Sequence, residues 1–549
     1  MKKRFLALLL AVVMVVSLAA CNGGGSGSGD DAKGDVKESQ YKTTYGVEDF
    51  GGTEISVEIF DRSNAPEGST STDNKWTRYA QEAMEKQGIK MTYVSVPRAD
   101  EVTKMTTMMA SGTAPTILGT YSWNYCRDYM RNDGIWDLAP FVDGEDQAKN
   151  LKAYLGENCL ELGRDTEGKL IGIVARRATV ALQNLFIRED WLKELGIEIP
   201  TTVEQYHDAI AEIVAKNPGG QPNTIGMEMG VISWSGDYNT TTYLYNPFNS
   251  FLNDEKSQAV GYVYYTDPHY IDYLKYLNSF YNEGLTNSEF FAATEEQLKS
   301  NFVNSKLGSF SSNVGYNVDI LRGNLLMTLK ENDPDAEMVA IKPLENLYVK
   351  GEYPQGAYGE GGMMLYFPKT YNEKQVAAGI TYLDWMGTKE GGFVFYHGFE
   401  GEHFEYNENN VPIPKDAEYN KVDKDWLRTD IFLIGNQGYF QTVDEFNQAI
   451  AADNPGWESY TIQDYEYSMW GKLLPQAQYM YSPQSALDNQ TDITLVNNEW
   501  GIKCITCKPE EVQANYDQWM ADLESKCNIK QVIEDTQAVY DEVRGGSGK

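Results

Sequence analysis

Cysteine and histidine are scarce in this chain, and long apolar runs are missing from nearly all of it. Six cysteines occur in 549 residues. Setting aside Cys21, the remainder are Cys126, Cys159, Cys504, Cys507 and Cys527, an odd and widely spaced set that is no disulfide framework. Cys504-Ile505-Thr506-Cys507 is a CxxC. A redox dithiol of that form needs a helix N-terminus and a thioredoxin-like unit around it, and a zinc site needs a second pair, where only Cys527 follows. The expectation is an incidental pair or a local disulfide. The four histidines, His207, His269, His397 and His403, are scattered, and His403 reads as structural. No GxSxG, HExxH or P-loop is present. Basic residues are outnumbered, 46 against 80 acidic, for a net charge of −34. That balance excludes a nucleic-acid partner and long-range steering of an anionic solute, and suits a solubility surface. The abundance of carboxylates makes an acid pair trivial to name, yet a glycosidase needs one at a defined separation, which sequence does not display. No catalytic residue, cofactor or metal is expected.

One apolar run does stand out, at the start. Lys2, Lys3 and Arg4 precede residues 5–16, a stretch of signal-peptide length and too short for a comfortable transmembrane span. Leu18-Ala19-Ala20-Cys21 looks like a lipobox, the site where a bacterial cell lipidates the cysteine and cleaves before it. Residues 1–20 are therefore expected to be a signal peptide. Cys21 is expected to carry the lipid, with 21–52 a flexible linker whose Gly/Ser-rich opening has no core of its own. Acyl chains contribute about 0.8 kcal/mol per buried CH₂, so several hold a protein on a membrane.

The remaining length implies two or more domains. Strand-like and amphipathic helical segments alternate, which predicts an α/β fold. Alternation from Glu54 to Phe60 predicts the first strand, 76–87 a helix ended by Gly88, 89–96 a strand, and 101–110 a helix broken by Ser111-Gly112-Thr113-Ala114-Pro115. Short strands are predicted at 116–119, 170–174 and 186–188. Helices are predicted at 189–195, ended by Gly196, and from Thr202 to about 216.

Several segments carry a family resemblance, in order. Leu185-Phe186-Ile187-Arg188-Glu189-Asp190-Trp191-Leu192-Lys193-Glu194-Leu195-Gly196-Ile197 followed by Pro200-Thr201-Thr202 resembles a signature of family 1 extracellular solute-binding proteins of ABC importers, in particular the large lipoprotein branch of Gram-positive bacteria. The small-residue turn at 111–115 agrees, although Thr116 replaces the usual aspartate. So do Gly168-Lys169-Leu170-Ile171-Gly172-Ile173, Lys306-Leu307-Gly308-Ser309-Phe310, Tyr382-Leu383-Asp384-Trp385-Met386, Glu390-Gly391 and Gly398-Phe399-Glu400-Gly401-Glu402-His403. The resemblance implies a two-lobe periplasmic-binding-protein-like fold with a hinge and an inter-lobe cleft. Its N-lobe would be 53–177 with 346–404, and its C-lobe 178–345 with 405–549. It also implies a monomer on the outer face of the cell membrane that closes on an oligosaccharide and hands it to the membrane subunits of an importer. A secreted glycoside hydrolase and a non-transport glycan-binding or sensory lipoprotein are the alternatives.

Ligand-binding candidates follow from loop position and chemistry. Loops at strand C-termini bind ligands in open α/β sheets, which points to Asp61, Arg62, Ser63 and Asn64, to Ser312 and Asn313, and to Glu360. Arg176 and Arg177 end a strand at the implied first crossing, and a guanidinium fork grips carboxylates or paired hydroxyls. Sugar rings stack on aromatics, and Tyr121, Trp123, Trp234, Tyr243 and Tyr358 lie in loops after strands. Some relatives carry a calcium loop after the helix that follows Pro-Thr-Thr. Here that stretch, 217–226, has no carboxylate, so no calcium is expected there.

Overall fold

The alternation near residue 54 forms a strand, Thr53–Asp61, paired in parallel with Ile89–Pro97 from Thr53↔Ile89 to Asp61↔Pro97. The computed structural model describes residues 37–230, 239–319, 324–435, 442–479 and 481–546. The chain divides into two units, Met1–Ala178 with Glu360–Pro455 and Thr179–Gly359 with Gly456–Lys549. Among the described residues no helix is long and apolar enough to cross a membrane. Cys21 and the 1–20 segment lie outside the described residues.

In the first unit, helix Lys75–Glu85 links the two parallel strands. Asn74 caps it by accepting the N–H groups of Trp76 and Thr77, and the Thr77 hydroxyl returns a bond to the Asn74 backbone N–H, which satisfies donors a helix start leaves open. A bridge from Val57 to Ile117 carries the sheet on to Leu118–Thr120, and Gly361–Tyr366 lies antiparallel between that strand and Ile173–Arg176. Helix Glu373–Met386 is buried without a break from Val376 to Met386, as expected of a core helix apolar on nearly every side. Its one buried carboxylate, Asp384, accepts four N–H groups, from Tyr45, Asn150 (backbone and side chain) and Leu151, at 2.7–2.9 Å, so the buried group has its partners.

In the second unit a four-stranded sheet runs in the order Ile225–Met227, Leu307–Asn313, Gln183–Arg188, Met338–Ile341. Successive side chains of a strand point to opposite faces. Leu185 and Ile187 accordingly join one core, with Tyr206 and Ile210, while Phe186 joins another, with Phe302 and Phe310. Arg188 is fully buried. It donates to both oxygens of Asp190 at 2.9 and 2.6 Å, to Asp333 at 2.9 Å and to Ser305 at 3.0 Å, and it lies 4.4 Å from the Trp191 ring. The Phe-Ile-Arg-Glu-Asp-Trp signature is thus an ion-pair knot that holds sheet to helix. The unit ends in three helices, Gln484–Thr506, Val512–Cys527 and Ile529–Gly546. The Asn278 amide ties the first of them down by donating to the carbonyls of Cys504, Ile505 and Cys507 at 2.8–3.1 Å.

The units change over at positions that differ from the sequence boundaries 345/346 and 404/405. Residues 354–357 belong to the second unit because they pair in parallel with Lys472–Pro475. Residues after 405 return to the first because Trp426, Leu427, Ile431 and Phe432 enter its core. Residues ahead of 53, expected to be linker, are packed into the first unit. Thr43 is buried, its hydroxyl bonded to the carbonyl of Phe141 at 2.6 Å, and Phe50 has no exposed surface. The strand expected at 170–174 begins later, at Ile173, and runs to Arg176.

Candidate functional site

Several strand ends of the first unit bring together one group of side chains. Asp61 closes a turn by accepting the Ser63 N–H at 2.8 Å, with Ser63 at a φ of 57°, a conformation that Asx-type turns support. Arg62 leaves this turn and donates from Nε and Nη2 to the two oxygens of Asp430 at 2.7 and 2.9 Å, the paired fork geometry of a strong charge-assisted contact. The Asp430 side chain is 2% exposed and that of Arg62 35%. Asn64 donates to the Trp426 carbonyl at 3.3 Å. Loop 61–64 is therefore fastened to helix Trp426–Ile431.

Arg98 follows the neighbouring strand. Its guanidinium lies 5.0 Å from the Phe60 ring and 4.9 Å from the Tyr121 ring, an attraction worth about 0.5–1 kcal/mol at exposed sites. It pairs with one oxygen of Glu101. The other Glu101 oxygen accepts the Thr120 hydroxyl at 2.8 Å and the Tyr121 N–H at 2.9 Å. Tyr121 is thus held by its backbone and backed by a cation while part of its ring stays exposed, the residue being 47% exposed. Desolvation raises the pKa of its hydroxyl, Arg98, Arg177 and Arg62 oppose that rise, and Asp430 adds to it. All four charges therefore act on one phenol.

Beneath this group, Glu58 lines a small cavity with Asp430, Phe60, Met363 and Leu433. One of its oxygens accepts the Gly119 N–H at 2.8 Å and the other has no hydrogen-bond partner. Burial pushes its pKa up to about 8, against the Gly119 bond that lowers it.

The other sequence candidates are placed differently. Trp123 is 8% exposed and donates to the Gly362 carbonyl at 3.1 Å. A Cβ on Gly361 would come within 2.6 Å of its ring, so Trp123 is an internal pin. Arg176 donates to the Tyr154 carbonyl at 3.0 Å, and its buried Nε makes no hydrogen bond. Arg177 donates its N–H to the Glu360 carbonyl at 2.7 Å, and the Glu360 carboxylate accepts from Asn158 at 3.1 Å. In the second unit, Ser312 is fully buried, and Asn313 and Tyr243 are nearly so. Tyr358 is half-buried, with its N–H on the Val180 carbonyl at 3.0 Å. Trp234 lies outside the described residues.

Two clusters that suggest metal or redox chemistry are otherwise explained. Glu402, His403 and Asp423 come close enough together to hold an ion, but Lys75 Nζ lies 2.6 Å from Glu402 and 3.5 Å from Asp423, so the chain supplies the cation itself. Cys504 and Cys507 are free thiols at the C-terminal end of a helix. The helix dipole disfavours a thiolate there, and burial pushes Cys504 up to about 12.

Two α/β units, each with its own sheet and core, define a two-domain solute-binding fold. The chain belongs to the bacterial extracellular solute-binding protein family, whose model matches residues 68–393. It is 23% identical to lipoprotein LipO of Bacillus subtilis over 346 residues, 61% of this chain and 64% of LipO, just under two thirds of that protein's length. It is 21% identical over 432 residues to the polygalacturonan/rhamnogalacturonan-binding protein YtcQ of the same organism, 72% of this chain and 80% of YtcQ. Among solved structures, an HMO-binding, ABC-transporter-associated solute-binding protein from Bifidobacterium longum infantis superposes with a TM-score of 0.66 at 14% identity, covering 90% of this chain and 99% of its own.

Sequence reasoning missed Arg98, Glu101 and Asp430. The rule that selected 61–64 also selects Arg98, one residue past the strand ending at Pro97, and Arg98 and Glu101 stand at i,i+3 spacing. Nothing in the sequence links Arg62 to Asp430, which is 368 positions away.

Proposed function

We propose that this chain captures a carbohydrate outside the cell, held to the membrane by a lipid on Cys21, and delivers it to an ABC importer without chemical change. Tyr121 is the stacking platform in the first unit. The observation that carries this reading is the exposed Tyr121 ring, fixed from behind by Arg98 and Glu101 and ringed by donor groups. Sugar recognition needs an apolar face beside polar groups that fix hydroxyls. The solute class agrees with the polysaccharide- and oligosaccharide-binding relatives. Asp61, Arg62, Ser63, Asn64, Arg176, Arg177 and Glu360 would contribute from the first unit, and Trp234 and Tyr358 from the second, where Tyr243, Ser312 and Asn313 are buried and do not present their side chains to a ligand.

A thermal-shift screen against an oligosaccharide panel tests the reading. A ligand at 100 times its Kd adds about 2.7 kcal/mol to stability, a clear rise in Tm. Tyr121→Ala is then expected to weaken binding at least tenfold, about 1.4 kcal/mol, while the unliganded Tm falls little, because about half of the residue is exposed. A panel that shifts nothing, or turnover of a bound sugar by the purified protein, would overturn the proposal.

A further inference from the structure

Loop 61–64 is fastened to helix Trp426–Ile431, and the start of that helix is itself held from outside the group around Tyr121. We propose that His403 is a positioning residue for this loop, acting through Asp423. That the loop then meets a ligand rests on the carbohydrate reading.

His403 has no exposed surface. The Phe399 N–H donates to its Nδ1 at 3.1 Å, and its Nε2 lies 2.9 Å from Asp423 Oδ2. A neutral imidazole carries one proton. With Nδ1 accepting, that proton sits on Nε2 and is donated to Asp423. The rings of Trp76 and Tyr419 stand 5.3 and 5.6 Å from the imidazole, centroid to centroid. A Cβ on Gly398, which sits at a φ of 84°, would run into its Cγ. The ring therefore has little room to turn. Asp423 is the meeting point of three stretches of chain. Its Oδ2 faces Lys75 Nζ at 3.5 Å as well as His403. Its carbonyl accepts two indole N–H groups, from Trp76 at 2.8 Å and from Trp426 at 3.2 Å. The turn Lys421–Asp425 runs directly into helix Trp426–Ile431. From that helix the Trp426 carbonyl takes the Asn64 amide, and Asp430 takes the Arg62 fork. A continuous polar path thus leads from His403 to the loop. Packing alone would be served by any side chain of similar volume, whereas this path needs a donor at the Nε2 position.

Glutamine and asparagine separate the two ring nitrogens, and both remove the ring. The Gln amide reaches the Nε2 position and keeps a donor for Asp423. The Asn oxygen falls at the Nδ1 position and keeps an acceptor for the Phe399 N–H. Hydrogen exchange of the ligand-free full chain should show residues 61–64 exchanging about tenfold faster in His403→Asn than in His403→Gln, with His403→Gln the nearer to the parent. Affinity for any sugar of the oligosaccharide panel that binds the parent should follow the same order. Equal exchange at 61–64 in the two variants would overturn the inference, whatever their Tm values. Nitrogen NMR of the unaltered chain, labelled at its four histidines, needs no variant to fold. It should place the His403 proton on Nε2, and a proton on Nδ1 would also overturn the inference. If no sugar binds the parent, the carbohydrate reading falls, and the exchange comparison still decides the role of His403.

Discussion

Replacing Glu58 with glutamine should make the protein more stable at neutral pH and remove part of its pH dependence. Glu58 is 5% exposed, so its carboxylate is paid for in lost hydration, and burial pushes its pKa from 4.5 to about 8. The folded state then binds a proton that the unfolded chain releases above its ordinary pKa. Stability falls wherever the folded state holds more protons than the unfolded one. The contribution of this group is therefore full below pH 4.5, declines by about 1.4 kcal/mol per pH unit above it, and levels off beyond about pH 8. At pH 7 the loss is on the order of 3 kcal/mol. Glutamine reproduces the protonated form, since its carbonyl can still accept the Gly119 N–H at the position where Glu58 accepts it at 2.8 Å. Arg98 and Glu101 act on this carboxyl and Asp430 lines the same cavity, so the difference between the two proteins is the informative quantity. Urea unfolding of both proteins from pH 5 to pH 8 should give curves that diverge as pH rises, with Glu58→Gln the more stable. Parallel curves would refute the reasoning and mean that Glu58 is ionised at neutral pH with a compensating partner.

Arg188→Ala should cost about 3–5 kcal/mol, because it strands Asp190 and Asp333 without their buried partner; urea unfolding would show it, and a variant as stable as the parent would refute the knot at the family signature. Iodoacetamide at pH 8 should label Cys507 in the native protein and leave Cys504 unmodified, because burial holds the Cys504 thiol up at about 12 and only the thiolate reacts; mass spectrometry of the labelled peptides decides it. Cys21→Ser should release the protein from the membrane fraction or leave it unprocessed, read by fractionation and intact mass, and unchanged retention would refute lipidation.

The sequence made legible what depends on local periodicity. Strand Thr53–Asp61, helix Glu189–Leu195 and helix Val203–Lys216 with its Thr202 cap stand where alternation, a stop glycine and a capping threonine put them. The boundary near 346 went astray because it depends on pairing between remote segments: residues 354–357 belong with a strand at 472–475, and no local signal in either stretch names the other. The candidate site divides along the same line. The rule that ligands meet the C-terminal ends of strands led to Arg62 and to Tyr121, but it does not distinguish Tyr121 from Tyr243. Burial separates them, and burial is decided by neighbours. Tyr243 sits in the short helix Thr240–Leu244, next to the buried Leu244 and in the same core as Tyr273 and Phe280, and is 4% exposed. Tyr121 follows a three-residue strand, with Glu101 holding its N–H and Arg98 against its ring, and is 47% exposed. An aromatic ring left that open is costly unless something covers it, and the Arg98–Glu101 pair holds its backbone N–H and one side of the ring while leaving ring surface uncovered. The other ion pair is the part of the site that sequence alone could not supply, because Arg62 and Asp430 meet only after the chain has left the first unit and returned to it.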